Sequence, residues 1–561
     1  MAKATKAAEP VMLPLRPLQI LLLISPFLAG LFFEYLACAV TLFLLVYILF
    51  AWKKKRLFVV PKSLTLLSVT VIVLFLGITA LWAVDHGMAL LGFAKFLVLP
   101  LFALTATQLS PSQRQALLQT VPLSGIAMTV LSYGLSFVPA LRGFFLVNDR
   151  LAGFFQYPNV FALFLLVGIV LLVSQQQWKL LRIVGLLVLL FGLFQTGSRT
   201  TFILLVAAVI ALTVFLKDKT TRIVLLSTVG LLLIATVIYV ICTGNMSSIG
   251  RYLTTSLSES TFLGRLLYDK DALPVIASHP FGLGYLGYSF LQGSFQTGVY
   301  SVTHIHNELL QILLDVGWLP TVLAVFAFAR SFLRSTPTFR ILLALIAAHC
   351  LLDFDLQFPA IGFILILIML QGETYTPWKS LRSATPVLST VLALISLYFG
   401  IVSGLYYADR PQTAVKLYPA YTACWQQYLV QTDNIEQADY AANQILRYNQ
   451  SVSLAYSAKA RTAYSQGDFG SMILYKEKAI ALSRYSLIEY LDYASMLHTG
   501  YQLYMQNYDT ASAEICRTHL LKIPQMLADV EKKTSTIAWK LDDKPELTLP
   551  PAYQQAIQQL Q

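Results

Sequence analysis

The feature that most constrains this chain is its succession of long apolar runs. Leu64–Ala83, Phe161–Val173, Leu180–Phe194, Phe202–Phe215 and Ile223–Ile241 are near-continuous hydrophobic stretches. A helix needs roughly 20 apolar residues to cross a bilayer, and many windows here meet or approach that. Apolar residues make up 57% of the 561 and charged residues 12%, where a soluble chain carries about 25% charged. These runs predict an all-α, polytopic membrane protein. Ala2–Arg16 reads as a basic, proline-containing lead into a first span, without a small-residue cleavage site.

A net charge of +12 would suit a nucleic-acid binder, but its distribution argues against one. Residues 1–406 hold 26 Lys/Arg against 13 Asp/Glu, and residues 407–561 hold 14 against 15. The excess lies wholly in the hydrophobic part, as loops obeying the positive-inside rule require. The five cysteines (Cys38, Cys242, Cys350, Cys424, Cys516) have no metal-type spacing. Cys424 and Cys516 either pair, if the tail is extracytoplasmic, or are isolated buried thiols.

About 13 spans are expected, near 17–33, 35–52, 64–84, 88–108, 117–138, 157–174, 180–196, 201–216, 223–242, 306–329, 340–352, 360–372 and 386–406. Alternate loops then carry Lys53-Lys54-Lys55-Arg56, Arg114, Lys179/Arg182, Lys217/Lys219/Arg222, Arg330/Arg334/Arg340 and Lys379/Arg382. Placing these loops and the N-terminus in the cytoplasm satisfies the charge rule at every turn. Arg142, Arg150, Arg199, Arg251 and Arg265 fall on the other side, where topology does not call for them. Arg199 sits in the short turn Thr196-Gly197-Ser198-Arg199-Thr200. Its guanidinium suits either an anionic ligand or lipid headgroups. Lys95, inside the fourth span, is expected to snorkel outward.

Polar groups concentrate at one helix mouth. Thr303-His304-Ile305-His306-Asn307-Glu308 leads straight into Leu309–Leu314, and ionisable groups at a membrane usually mark a site. Histidine suits proton transfer near neutral pH, though a helix-start histidine bonded to backbone would look the same in sequence. His304, two residues away, reads equally as a substrate contact or an inert loop residue. The long loop 243–305 precedes this mouth and carries His279-Pro280-Phe281-Gly282-Leu283-Gly284, where Gly282 and Gly284 permit close approach to a polar ligand. His279 is expected to shape that loop. Asp353 and Asp355 lie in a short external loop, as solvated charge or as acceptor contacts.

Composition changes from Asp409 onward. Ala455–Leu482 places Ala458, Ala460, Ala463, Tyr464, Gly467-Asp468-Phe469, Tyr475 and Lys478-Ala479-Ile480 at helical spacing. The segment resembles a tetratricopeptide repeat, with a plain helical bundle as the alternative. The expected division is therefore 1–406 in the membrane and 407–561 as a helical, repeat-like domain. An odd span count puts the latter outside the cytoplasm, where its repeats suit a protein partner.

His306-Asn307 followed after nine residues by Gly317 resembles the histidine–amide–x9–glycine signature of the O-antigen ligase family, which also includes O-antigen polymerases and protein O-oligosaccharyltransferases. Arg150–Asn159, Gly197-Ser198-Arg199, Arg265, the His279–Gly284 loop and His349…Asp353-Phe354-Asp355…Pro359 follow in family order. Trp318-Leu319-Pro320 stands where the family often has a second small glycine motif. The likeness covers roughly residues 15–405 and implies a GT-C-like membrane fold in the bacterial cytoplasmic membrane, with the site facing outward.

The reaction that the resemblance implies moves a glycan from an undecaprenyl-diphosphate carrier to a glycan, lipid or protein hydroxyl, without metal or cofactor. His306 is then the base, with Arg199 and Arg265 on the diphosphate as further catalytic groups. Arg150, Asn307, Glu308, His304, Gly282 and Gly284 contact substrate. Guanidiniums suit such oxygens because they are permanently charged and bidentate. A polymerase of the same family is the alternative. A lipid-linked glycan transporter would instead show charges buried mid-span and two similar halves.

Overall fold

Local chemistry sets where the apolar runs start and stop. A computed structural model describes residues 14–54, 59–174, 179–215, 260–373, 377–380 and 383–560, with Arg222, Ile223, Leu226, Ser227 and Gly230 besides. The first helices are α1 (Arg16–Ile24), α2 (Glu34–Lys53), α3 (Leu64–Thr79), α4 (His86–Phe96), α5 (Val98–Thr107), α6 (Pro111–Leu118), α7 (Thr120–Leu135) and α8 (Pro139–Phe145). Next come α9 (Pro158–Val173), α10 (Lys179–Thr196), α11 (Arg199–Phe215), α12 (Ser260–Ser278) and α13 (Gly287–Phe295). After them stand α14 (Glu308–Val316), α15 (Trp318–Arg334), α16 (Pro337–Cys350), α17 (Pro359–Gln371) and α18 (Thr385–Tyr407). Ser63, Asp85 and Ser110 cap α3, α4 and α6 with their side chains, Ser110 in a reciprocal box with Gln113. Each cap satisfies a donor the helix would otherwise leave unpaired. Proline opens α8, α9, α16 and α17, where a missing N–H does no harm.

The chain is an all-α membrane protein. Among the described residues four helical stretches are long and apolar enough to cross a bilayer: Glu34–Lys53, His86–Thr107, Pro111–Leu135 and Thr385–Tyr407. Shorter apolar helices, among them α3, α9, α11, α16 and α17, surround them. The core is centred on α9, which is buried at every position but Asn159 and packs against α7, α10, α11 and α16. A helix apolar all round belongs in such a place.

Two expected spans are not single helices. The span expected at 17–33 is α1 followed by two short 3-10 turns, where Gly30 turns left-handed at φ 60°. The span expected at 306–329 is broken into α14 and α15 at Gly317, whose φ is 78°. The span expected at 223–242 and Arg251 lie outside the described residues. Lys95 does not snorkel. It is fully buried, with Nζ 4.7 Å from the Phe32 ring centre and 3.2 Å from the Tyr285 hydroxyl.

Small antiparallel pairs finish opposite ends of the bundle. β1 (Val59–Pro61) pairs with β4 (Pro377–Ser380), joining two loops read as cytoplasmic. β2 (Leu146–Val147) and β3 (Arg150–Leu151) form a hairpin at the other end. Its two turn residues, Asn148 and Asp149, both have positive φ, the turn chemistry that a two-residue hairpin favours.

The tail is wholly helical: α19 (Pro411–Leu417), α20 (Thr422–Gln431), α21 (Ile435–Tyr448), α22 (Ser453–Ser465), α23 (Phe469–Leu482), α24 (Leu487–Gln506), α25 (Thr510–Lys533) and α26 (Pro551–Gln558). From α19 to α25 each helix packs on its successor. Cys424 and Cys516 are free thiols in two separate hydrophobic cores. The tail docks on the end of the bundle that carries α12. Asn449 donates to Asp85 (2.9 Å), Lys270 to Ser535 Oγ (3.1 Å) and the Ser535 N–H to the Thr297 carbonyl (2.8 Å).

Candidate active site

Loops from distant parts of the chain meet at that end, and Asp353 is where they join. The β2–β3 hairpin turn delivers Arg150, whose Nε donates to the Thr196 carbonyl (2.7 Å) and whose Nη2 donates to Asn159 Oδ1 (2.6 Å). Asn159 passes the connection on, its Nδ2 donating to Asp353 Oδ2 at 2.7 Å. The Tyr157 hydroxyl donates to Asp353 Oδ1 at 2.9 Å. Arg265 Nη2 stands 3.4 Å from Asp353 Oδ2. Asp353 is 1% exposed, so it is not the solvated loop charge its position suggested. A buried carboxylate with this many donors fixes the geometry of everything it holds.

Arg199 opens α11 directly after the Gly197-Ser198 turn and is half-buried. Arg150 holds that turn through Thr196, so two expected arginines share one bracket. Arg142 belongs elsewhere, in an exposed pair with Asp149.

His306 lies in the loop before α14, half-buried between the rings of Phe354 (5.1 Å between centres) and Tyr268 (5.6 Å). Its Nδ1 is enclosed and makes no hydrogen bond among the described residues. Burial pushes its imidazole down to about 4, with the Asp353 carboxylate opposing that fall and Arg265 adding to it. The ring is therefore neutral near pH 7. Asp353 responds oppositely. Burial alone would raise it, but Arg265, the neighbouring imidazoles and the Tyr157 hydroxyl together hold the carboxyl below its usual range.

The other expected contacts separate into distinct roles. Asn307 caps α14, its Oδ1 accepting from the Leu310 N–H and its Nδ2 donating to Asp269 Oδ2, both at 3.3 Å. Glu308 faces inward and accepts from the Leu356 N–H (2.5 Å) and the Gln357 N–H (3.2 Å). It latches α14 to the Asp353–Gln357 loop and does not orient the imidazole. His304 is 4% exposed among Phe32, Tyr285 and Phe354. It is a packing residue, and the substrate contact expected of it is not supported.

Gly282 and Gly284 likewise serve the backbone. Gly282 and Gly317 both have positive φ, and a Cβ at either would collide with the other's strand of chain. The Leu283 and Gly284 N–H groups donate to the Leu314 and Asp315 carbonyls, and the Trp318 N–H donates to Pro280. The loop thus splints the α14–α15 break. Its glycines lie against that break and not against the arginine–carboxylate set. His279 closes α12, its Nδ1 2.9 Å from the Val275 carbonyl.

Residue-by-residue reading passed over Asp269 and gave Tyr157 and Asn159 no role. Asp269 stands one turn after Arg265, an i, i+4 spacing that puts both on one face of α12. Burial lifts its carboxyl to about 6, with the Asn307 bond and Arg265 moderating the rise. Beneath the site lies an apolar cavity of about 320 Å³, reaching from Glu308 and Gln357 past Leu76, Phe96 and Ile366.

Three arginines, a neutral histidine and two carboxylates at one end of an all-α membrane bundle define a site for an anionic, hydroxyl-bearing substrate. Residues 184–325 match the protein-family model for the O-antigen ligase domain. By that domain the chain belongs to the O-antigen ligase family. The match takes in Arg199, Arg265, His306, Asn307 and Gly317, while Arg150, Tyr157, Asn159 and Asp353 lie outside it. No curated protein matches the chain.

Proposed function

We propose that this protein transfers a glycan from an undecaprenyl-diphosphate carrier to an acceptor hydroxyl, as a ligase, on the outer face of the bacterial cytoplasmic membrane. The observation that carries this reading is Asp353 binding Arg265 directly and Arg150 through Asn159, with His306 packed on Phe354 next in sequence.

In the step, the acceptor oxygen bonds to the anomeric carbon as the bond from that carbon to the diphosphate breaks. The electron pair of the broken bond leaves with the diphosphate, where Arg265 and Arg199 stabilise the added charge. The acceptor's proton passes to the neutral His306 imidazole, a contribution of about 10²–10⁴-fold. Direct attack inverts the anomeric centre. Arg150 positions the Arg199 turn, and Asp353 holds Arg265 extended. The apolar cavity below Glu308 suits the first part of the carrier's lipid chain.

The test is transfer from purified undecaprenyl-diphosphate glycan in vitro, comparing wild type with His306→Ala. The expected result is loss of transfer with carrier binding retained. Full turnover by the variant removes His306 as the base.

A further inference from the structure

Two residues one helical turn apart on α12 serve different ends of the site. Arg265 reaches Asp353. Asp269 gives Oδ2 to Asn307, while its Oδ1 is enclosed and accepts no hydrogen bond among the described residues. The neighbouring carboxylates are shut away: Asp353, Asp355 and Glu308 are 1%, 0% and 2% exposed. Asp355 is engaged by His349 at 2.7 Å and Glu308 by two backbone N–H groups. Asp269 is only half-buried. It combines an approach from outside with an oxygen to spare, beside Tyr268, whose ring lies on His306.

The helix that carries it is held from behind. Leu267 packs with Ala538 and Leu541 of the tail, and Lys270 bonds Ser535. Asp269 therefore sits on a braced element, which is what a positioned contact needs. Two acceptor groups at one mouth, His306 and Asp269, match a partner presenting two hydroxyls, one to be attacked and one to be held.

We propose that Asp269 binds the acceptor through a hydroxyl next to the attacking one, so that the acceptor is a glycan and not an isolated hydroxyl. This rests on the glycosyl-transfer reading above. Asn307 holds Asp269 at the helix mouth, and a charged acceptor of hydrogen bonds outweighs a neutral one.

The test uses the full-length protein in nanodiscs, undecaprenyl-diphosphate-linked glycan as donor, and an oligosaccharide of the donor's own repeat as titrated acceptor. Asp269→Asn should raise the acceptor KM about 10- to 100-fold, the loss expected for one charged hydrogen bond. Donor KM and binding of the glycan-free carrier should move by less than about twofold. Asp269→Glu should recover part of the acceptor KM. An unchanged acceptor KM overturns the proposal. So does an equal rise in donor KM or a loss of carrier binding, either of which makes Asp269 a brace. A serine-containing peptide outperforming the oligosaccharide as acceptor also overturns it. If wild type transfers to no acceptor, the glycosyl-transfer reading falls first and takes this inference with it.

Discussion

Arg265 Nη2 and Asp353 Oδ2 lie 3.4 Å apart although 88 positions separate them in the chain. The pair is unequal, since Asp353 is closed off while the Arg265 side chain keeps 19% of its surface exposed. The carboxylate is thus a fixed anchor, and the guanidinium it holds keeps a face for a ligand. The Tyr157 and Asn159 bonds to the same carboxylate make it a structural keystone as well.

Asp353→Ala should destabilise the protein by about 3 kcal/mol, because it strands Arg265, Tyr157 and Asn159 without their acceptor. Asp353→Asn keeps the shape and one acceptor oxygen and should cost less. Thermal unfolding in detergent, followed by intrinsic fluorescence, checks the order. Equal stability of both variants and wild type would contradict the keystone role.

Arg265→Ala should lower transfer about 100-fold or more, the scale seen when one preorganised donor to a developing oxyanion is lost. Arg265→Lys should regain only part, because an ammonium cannot make the planar two-point contact. Steady-state kinetics with varied donor decides it. A lysine variant as active as wild type would argue for simple charge.

His306 acts as a base only when neutral, so transfer should persist above its pKa and fall as pH drops through it. With its imidazole pushed down to about 4, kcat/KM for donor at saturating acceptor should stay level from pH 7 to about 5 before falling. The bound diphosphate's negative charge favours imidazolium. The acid limb of kcat should therefore lie at higher pH than that of kcat/KM. Coincident limbs near 6.5 would mean an ordinary exposed histidine.

Gly317→Ala should destabilise by about 2–4 kcal/mol, combining a left-handed backbone with a clash against the Pro280 carbonyl. The damage should reach catalysis, since the same break starts where α14 ends. Measuring both Tm and kcat tests this, and retention of either in full would speak against a splinted break.

Gly87→Val should loosen the tail, because any side chain there runs into the Ala420 carbonyl. The expected sign is faster limited proteolysis within 411–560 with the membrane part intact. Unchanged cleavage would show that the docking tolerates a shift.

Legibility differed from residue to residue. Apolar run length marked most helices, because a bilayer-facing segment must hide its own backbone whatever its neighbours. It failed at 306–329, where the run is apolar throughout but Gly282 lies against Gly317 and stabilises a break. Hydropathy registers polarity and not φ, so that break had no sequence signal beyond one glycine. Asn307 and Arg265 stood out by motif. Asp269 was within reach of the i, i+4 rule applied to Arg265, and was passed over as one charge among several in a loop.

Sequence by itself determined that the chain is an all-α membrane protein, where its positive charge lies and which histidine sits at a helix mouth, since each follows from local composition and spacing. Only the tertiary structure decided that His304 and Glu308 face inward, that Asp353 joins Arg265 to the Arg150 bracket, and that the tail lies at the same end as His306. Burial and pairing are relations between segments far apart in the chain. A carboxylate reads the same in sequence whether water or two arginine-bearing loops surround it, and its chemistry depends on which.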